Sequence, residues 1–336
     1  MAGNKESHTV VAEKGKKPMG GARKELRDAF ADALLHLGEL YPQVLFLDAD
    51  LHTSTKAVVF KERYPNRFYQ FGIAEQNLFG AAAGLAWEGF IPFPSTFASF
   101  VARRALDQIA ISIAYPALNV KIPGSYAGVP TSRAGASHNC IEDLSVMRSL
   151  PNVKVADPGS YRDLFTLMEE AVKTPGPVYF RVARYAVPEF LPPEYHFAWG
   201  KGIRLREGED VTLLGTGIMS WFCVLAAADL EKRGIQAEVI HMPSIKPLDK
   251  ELVLESVRKT GCAVTAENAS VVGGFGAAVL EALAESWPVP LERVGVPDTF
   301  VESGGTNELF QRCGMRPEDI VQRAVALVHR VKGKKR

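Results

Sequence analysis

Glu75 is the residue around which a chemical reading of this chain can be built. It lies in Phe71-Gly72-Ile73-Ala74-Glu75-Gln76-Asn77, which runs into Leu78-Phe79-Gly80-Ala81-Ala82-Ala83-Gly84. Arg67 to Phe71 is short, aromatic and extended, as a strand end should be. The small and apolar residues that follow, as far as Trp87, predict a helix that tolerates close neighbours. Glu75 then falls in the first turn, where the helix dipole and unpaired backbone N–H groups stabilise a carboxylate. Such a glutamate is either a helix cap or a proton-holding group at the mouth of a site. A second acidic cluster, Asp48-Ala49-Asp50, follows a predicted strand at 44–47, at the end where open parallel sheets place their binding crevices. A third candidate is the polar stretch from Gly124 to Asn139, which contains Arg133 and His138. A loop of that length is either functional or mobile.

The elements that would carry these residues alternate between helix and strand. Helical spacing covers 23–40, with Gly38 and Pro42 at the exit, and a strand at 44–47, a helix around 56–63 and the strand into Glu75 follow. The rhythm continues with a strand at 90–93, a helix at 97–115, strands at 119–122 and 153–156, a helix at 161–173 and a strand at 178–182. Past Pro188, Pro192 and Pro193 it restarts, with strands at 211–214, 237–240, 263–266 and 291–294. Helices are expected between them at 219–233, at 250–260 and after Gly273-Gly274-Phe275-Gly276, with a last one at 318–331. The predicted fold class is therefore α/β: two consecutive doubly wound, mostly parallel-sheet domains, each sheet covered on both faces. Residues 1–21 read as a disordered, lysine-rich arm, 22–187 as the first domain, 188–200 as a linker and 201–333 as the second domain. Gly215-Thr216-Gly217 lacks the third glycine of a dinucleotide fingerprint.

The chain has 336 residues, enough for two cores, and 39 Lys and Arg against 38 Asp and Glu, a formal net charge of +1. That balance gives no reason to expect a nucleic acid or an anionic membrane as partner. Cys140, Cys223, Cys262 and Cys313 are far apart and form no paired metal-ligand spacing. No run reaches membrane-spanning length, and the N-terminus lacks the apolar segment of a signal peptide. A reducing cytoplasm is the expected compartment.

Gly72-Ile73-Ala74-Glu75-Gln76-Asn77, followed by Pro94-Ser95-Thr96-Phe97-Ala98-Ser99-Phe100, resembles the pyrimidine-binding part of the transketolase family. The resemblance runs from about Arg23 to the C-terminus. It implies thiamine diphosphate as cofactor, with Glu75 hydrogen-bonded to the aminopyrimidine ring as a proton relay. It also implies Phe100 stacked on that ring with Phe97 beside it, and Asp50 either as an acid near the cofactor or as a turn aspartate. Arg23, Ser54 and Arg184 match contacts to a substrate phosphate, for which guanidinium forks are suited. His138 matches a histidine beside the sugar hydroxyls. The implied reaction moves a two-carbon ketol unit from a ketose phosphate to an aldose.

The sequence departs from the family pattern in two places. The acid that the family aims at a substrate hydroxyl falls near Ala134, with Arg133 beside it, and an upstream loop histidine falls near Ser125 or Tyr126. The substrate is therefore expected to differ from the usual sugar phosphates. Absent, too, is the Gly-Asp-Gly motif, followed by asparagine, that holds magnesium and diphosphate. The resemblance thus implies the C-terminal subunit of a split transketolase, completed by a separate diphosphate-binding subunit that holds most of the Mg2+ coordination. Two such chains and two partners would form a heterotetramer, the second domain supporting self-association. A β-type subunit of a 2-oxo acid dehydrogenase, or a relative of deoxyxylulose phosphate synthase, is the alternative, and the trio Arg23, Ser54 and Arg184 argues against it. A noncatalytic assembly subunit is a third reading, which the presence of both Glu75 and Phe100 argues against.

Overall fold

The computed structural model describes residues 22–333, so the arm expected at 1–21 lies outside the described residues. In chain order the strands are β1 (Lys24–Glu25), β2 (Val44–Asp48), β3 (Phe68–Gln70), β4 (Ile91–Phe97), β5 (Lys121–Ser125), β6 (Lys154–Ala156) and β7 (Val178–Val182). They continue with β8 (Ala186–Val187), β9 (Ile203–Arg206), β10 (Val211–Gly215), β11 (Ala237–His241), β12 (Ser244–Lys246), β13 (Ala263–Ser270) and β14 (Leu291–Val296). One sheet has the order β12-β6-β7-β5-β4-β2-β3 and another β14-β13-β10-β11-β9, while β1 and β8 pair with each other. Within the large sheet only β12 runs antiparallel to its neighbour. In the second sheet β9 does the same.

Helices cover both faces, and the strand sequences follow from that. β2, β4, β5 and β7 are buried at every position, as expected of a parallel sheet sandwiched between helical layers. Helix Tyr161–Lys173 buries Leu164, Leu167, Met168 and Ala171 against helix Leu26–Leu40, and the Ser160 side chain caps it by accepting from Asp163 N. The apolar core is continuous between the two sheets. Leu214 and Ile240 of the second sheet belong to the same cluster as Leu45 and Ile122 of the first.

Several elements differ from the sequence expectation. The helix expected at 97–115 is divided into helix Ala98–Arg103 and a π-helical segment Gln108–Ala114, and it starts after β4, which continues to Phe97 through Pro92 and Pro94. Those prolines are tolerated for a reason of register. Ile91 N donates to Gln43 O toward β2, so residues 92 and 94 point their missing N–H toward β5, where pairing begins only at Thr96. The stretch from Gly124 to Asn139 is not a mobile loop. Residues 126–131 are buried, and Val129 N donates to Asn268 Oδ1 at 3.0 Å.

Residues 188–200 lack regular structure but pack, with Phe190, Leu191 and Phe197 buried. β12 comes from beyond this segment and completes the edge of the first sheet beside β6. The sequence reading also missed helices Asp143–Ser149 and Thr306–Arg312.

A serine, a histidine and an aspartate line up where the two halves meet. Ser220 Oγ lies 2.6 Å from His241 Nδ1, and His241 Nε2 lies 2.8 Å from Asp163 Oδ2. The residue types are those of a hydrolytic triad. All three are fully buried, however, and Asp163 also accepts from Tyr195 Oη and Gly159 N. The chain of bonds fastens β11 to helix Tyr161–Lys173 and presents no nucleophile.

Candidate active site

The candidate residues gather at one edge of the large sheet. β3, β2, β4, β5 and β7 all end there. Their C-terminal ends lead to Glu75, Asp50, Phe97 with Phe100, Tyr126 and Arg184 respectively. This is the edge at which open parallel sheets bind ligands.

Glu75 is the first residue of helix Glu75–Trp87 and is 4% exposed. Its carboxylate accepts from Thr96 Oγ1 at 3.3 Å and from Arg104 Nη1 at 3.2 and 3.3 Å. The Arg104 guanidinium carbon lies 3.9 Å from the centre of the Phe100 ring, so one cation touches both the acid and the aromatic face. The His138 ring stands edge-on to Phe100 at 5.2 Å and to Phe97 at 6.0 Å. Its Nδ1 is 2.8 Å from Ser137 Oγ. Phe97 stacks on Tyr126 with centroids 4.3 Å apart. The buried hydroxyls of Ser95 and Ser99 lack a hydrogen-bond partner among the described residues, an uncommon state for buried polar atoms.

Tyr126 joins this group to a second one. Its hydroxyl accepts from Arg27 Nη1 at 2.8 Å and donates to Ser54 O at 3.2 Å. Arg27 Nη1 also donates to Ser54 O. The Arg184 guanidinium lies 5.3 Å from the Tyr126 ring centre. A cavity of about 520 Å³ opens here, with Phe97, Tyr126, Ser132, Arg133, Arg184 and Tyr185 on its wall. Arg23 is exposed nearby; burial raises the Tyr185 hydroxyl pKa and the Arg23 charge lowers it in part.

The structure thus brings Glu75, Phe97, Phe100 and His138 into one set of contacts, and puts Ser54 and Arg184 on either side of Tyr126. Asp50 stands apart. It is exposed on a turn with φ of 64°, and its N–H donates to Gln70 Oε1 at 3.0 Å. The buried acid of that cluster is Asp48, which accepts from Gln70 Nε2 at 2.7 Å and lies 2.7 Å from His52 Nδ1. Sequence reasoning missed Arg104, Thr96, Arg27 and the linking role of Tyr126. No local signal marks Arg104, which follows helix Ala98–Arg103 with helical backbone of its own.

Along the helix that begins at Glu75, apolar side chains are left in water. Ile73 is 75% exposed, Trp87 72%, Ile111 64% and Tyr115 82%; they lie on or beside helix Glu75–Trp87 and the π-helical segment packed against it. Among the described residues, no group of three or more His, Cys, Asp or Glu side chains is placed to hold a metal ion.

Comparison with known proteins gives a consistent answer. Residues 23–189 match the transketolase pyrimidine binding domain, and residues 200–320 the transketolase C-terminal domain. A 6-deoxy-6-sulfo-D-fructose transketolase subunit from a Clostridium species is 42% identical over 305 residues, covering 91% of this chain and 95% of that one. One of the subunits of an apulose-4-phosphate transketolase from Phocaeicola vulgatus is 36% identical, covering 90% and 97%. A solved split gene transketolase, an inactive beta4 tetramer, aligns with a TM-score of 0.85 at 46% identity, covering 92% of this chain and 99% of that one. A 1-deoxy-D-xylulose-5-phosphate synthase from Symbiobacterium thermophilum is 35% identical, but the match spans only 47% of its length. With its glutamate loop at the sheet edge and both domains matched over most of their length, the chain belongs to the transketolase family, as a transferase subunit carrying the pyrimidine-binding domain and then the C-terminal domain.

Proposed function

We propose that this chain supplies the pyrimidine side of a thiamine diphosphate-dependent transketolase and works with a separate diphosphate-binding subunit. The observation that carries the reading is the pairing of a nearly buried carboxylate, Glu75, with the aromatic face of Phe100. An aminopyrimidine ring needs those two groups, an acceptor for its ring nitrogen and an aromatic face. Thiamine diphosphate held there would supply the carbon nucleophile of ketol transfer. The protein's part is positional and protonic. Glu75 holds and exchanges a proton at its carboxylate, Phe100 and Phe97 fix the ring plane, and low exposure keeps water from the acid.

Arg184, Arg23 and Ser54 serve the substrate phosphate, and His138 serves the sugar hydroxyls. Asp50 is the weakest member of the set, being exposed on its turn. The donor is a ketose phosphate and the acceptor an aldose or its phosphate. The named substrates of the two relatives, a sulfonated and a phosphorylated sugar, support an acidic sugar as the class. The domains divide as 22–187 and 201–333, joined by 188–200.

The exposed Ile73, Trp87, Ile111 and Tyr115 support a partner seated against helix Glu75–Trp87 and the π-helical segment beside it, since exposed apolar side chains suit an association surface. That partner holds most of the Mg2+ coordination, and two copies of each chain make the heterotetramer. A cytoplasmic location suits this assembly; no helix of the described residues is long and apolar enough to cross a membrane.

Calorimetry tests the reading. Thiamine diphosphate with Mg2+ should bind tightly to this chain mixed with its diphosphate-binding partner and not to the chain alone. Tight binding to the isolated chain would refute the division of labour, and no binding to either would refute the catalytic reading.

A further inference from the structure

We propose that Arg133 determines substrate specificity. With Arg184 it forms a two-guanidinium seat for the tetrahedral oxyanion at the end of the sugar, an inference that deepens and rests on the function proposed above. The residue sits on a strap of 3-10 backbone, Val129–Ala134, that forms one wall of the 520 Å³ cavity. The second domain fixes that strap from both ends. Val129 N donates to Asn268 Oδ1 at 3.0 Å, and Ser303 Oγ donates to the carbonyl of Arg133 itself at 2.6 Å. Asn139 Nδ2 adds a bond to Val301 O at 3.2 Å.

Just before Arg133 the backbone is strained. Ser132 has φ of 53° and ψ of −103°, a conformation unfavourable for any residue with a Cβ and one that persists only where the surroundings impose it. The strain and the anchors together present Arg133 at the cavity instead of leaving it on a free loop.

Charge decides what the cavity accepts. Among the described residues neither Arg133 nor Arg184 has an acidic partner. The acid on the wall, Glu25, is engaged by Arg27 and by Lys56 at 3.8 Å. Arg27 is itself committed to Ser54 O and Tyr126 Oη. Arg133 and Arg184 therefore both line the cavity without an acidic partner, and planar guanidinium forks match the oxygens of phosphate or sulfonate. Both residues are exposed, so a neutral sugar would gain nothing from their charges, whereas an oxyanion would.

The test uses the full chain as wild type, Arg133→Ala and Arg133→Lys. Unfolding midpoints are followed against inorganic phosphate or methanesulfonate at fixed ionic strength, so that ligand linkage yields apparent affinities. Arg133→Ala is expected to weaken phosphate binding about tenfold, with Arg133→Lys recovering part of the loss. An equal loss for methanesulfonate identifies a seat for any tetrahedral oxyanion, and a smaller loss identifies one tuned to the phosphate dianion. A loss under threefold for both anions overturns the proposal. In the reconstituted complex, Arg133→Ala should raise KM for phosphorylated donors at least threefold, with kcat and unphosphorylated donors little changed. If the complex transfers ketol units but KM moves less than that, the inference falls and the function stands. If it transfers none while phosphate binding still depends on Arg133, the function falls and the seat stands.

Discussion

Glu75 and Glu267 are both buried carboxylates at the start of a helix, yet the molecule completes them in opposite ways. Glu267, on β13, is fully buried and accepts from Phe275 N at 2.6 Å and Gly276 N at 2.9 Å, the first amides of helix Phe275–Ser286. Gly274 leaves no room beside it, since a Cβ there would run into Oε2. Burial raises its pKa to about 7, with the two amides pulling the other way. Glu75 has instead been finished by side chains, Thr96 and Arg104, and the Arg104 side chain is 47% exposed. An acid closed by its own backbone is scaffold. An acid closed by a side chain that can swing into solvent is free to take another partner. Ser220, His241 and Asp163 teach the same lesson, having the residue types and distances of a catalytic relay but no surface.

Glu75→Gln should lower kcat of the reconstituted complex by about 10³-fold, the range of a lost general acid or base, while leaving the unfolding midpoint close to wild type. Glu267→Gln should leave kcat within about threefold. Similar losses in both would show that the two acids do not differ in role.

Stability against pH should also separate them. The folded pKa of Glu267 is raised from 4.5 to about 7, so the native state binds the proton more tightly than the unfolded chain. Its contribution is fully present below about pH 4.5, falls as pH rises toward 7 and is level above that, a total change of about 3 kcal/mol. Urea midpoints of the wild type should decline across that window more than those of Glu267→Gln. Parallel curves would mean that the carboxyl is already ionised in the fold. Asp157, which burial raises from 3.8 to about 6, adds the same trend to both proteins.

The smallest effect concerns Arg104. Its guanidinium competes for both Glu75 and Phe100, so Arg104→Ala should tighten thiamine diphosphate binding in the complex by roughly 3- to 10-fold, as removal of a competing closed state does. Weaker binding by calorimetry would make Arg104 a contact to the cofactor instead.

The legible parts of the fold are those set by local pattern. Helix Tyr161–Lys173 and β7 fall where the sequence predicts them, because one has a clean apolar stripe behind a serine cap and the other is an apolar run between turns. β12 is illegible for the opposite reason. Three residues acquire strand geometry only from β6, far back in the chain. At the site, Glu75, Phe97, Phe100 and His138 could be named as candidates only through the resemblance to a family pattern; the structure puts Phe97, Phe100 and His138 in ring contact and joins Glu75 to Phe100 through Arg104. Arg104 could not be, since no pattern marks it and it meets Glu75 only through tertiary packing across 29 residues. Nor could the fastening of the 129–134 strap, which depends on Asn268 and Ser303 from the other domain.

The position of β12 bears on how this chain can be divided. If a cut in 188–200 let the fragments separate, β6 would lose β12, whose Ser244 and Lys246 pair with Ala156 and Val155, and the sheet would end in an unpaired edge. It would also sever the bond from His241 to Asp163. A break between the two domains would give fragments that each expose what the other covers.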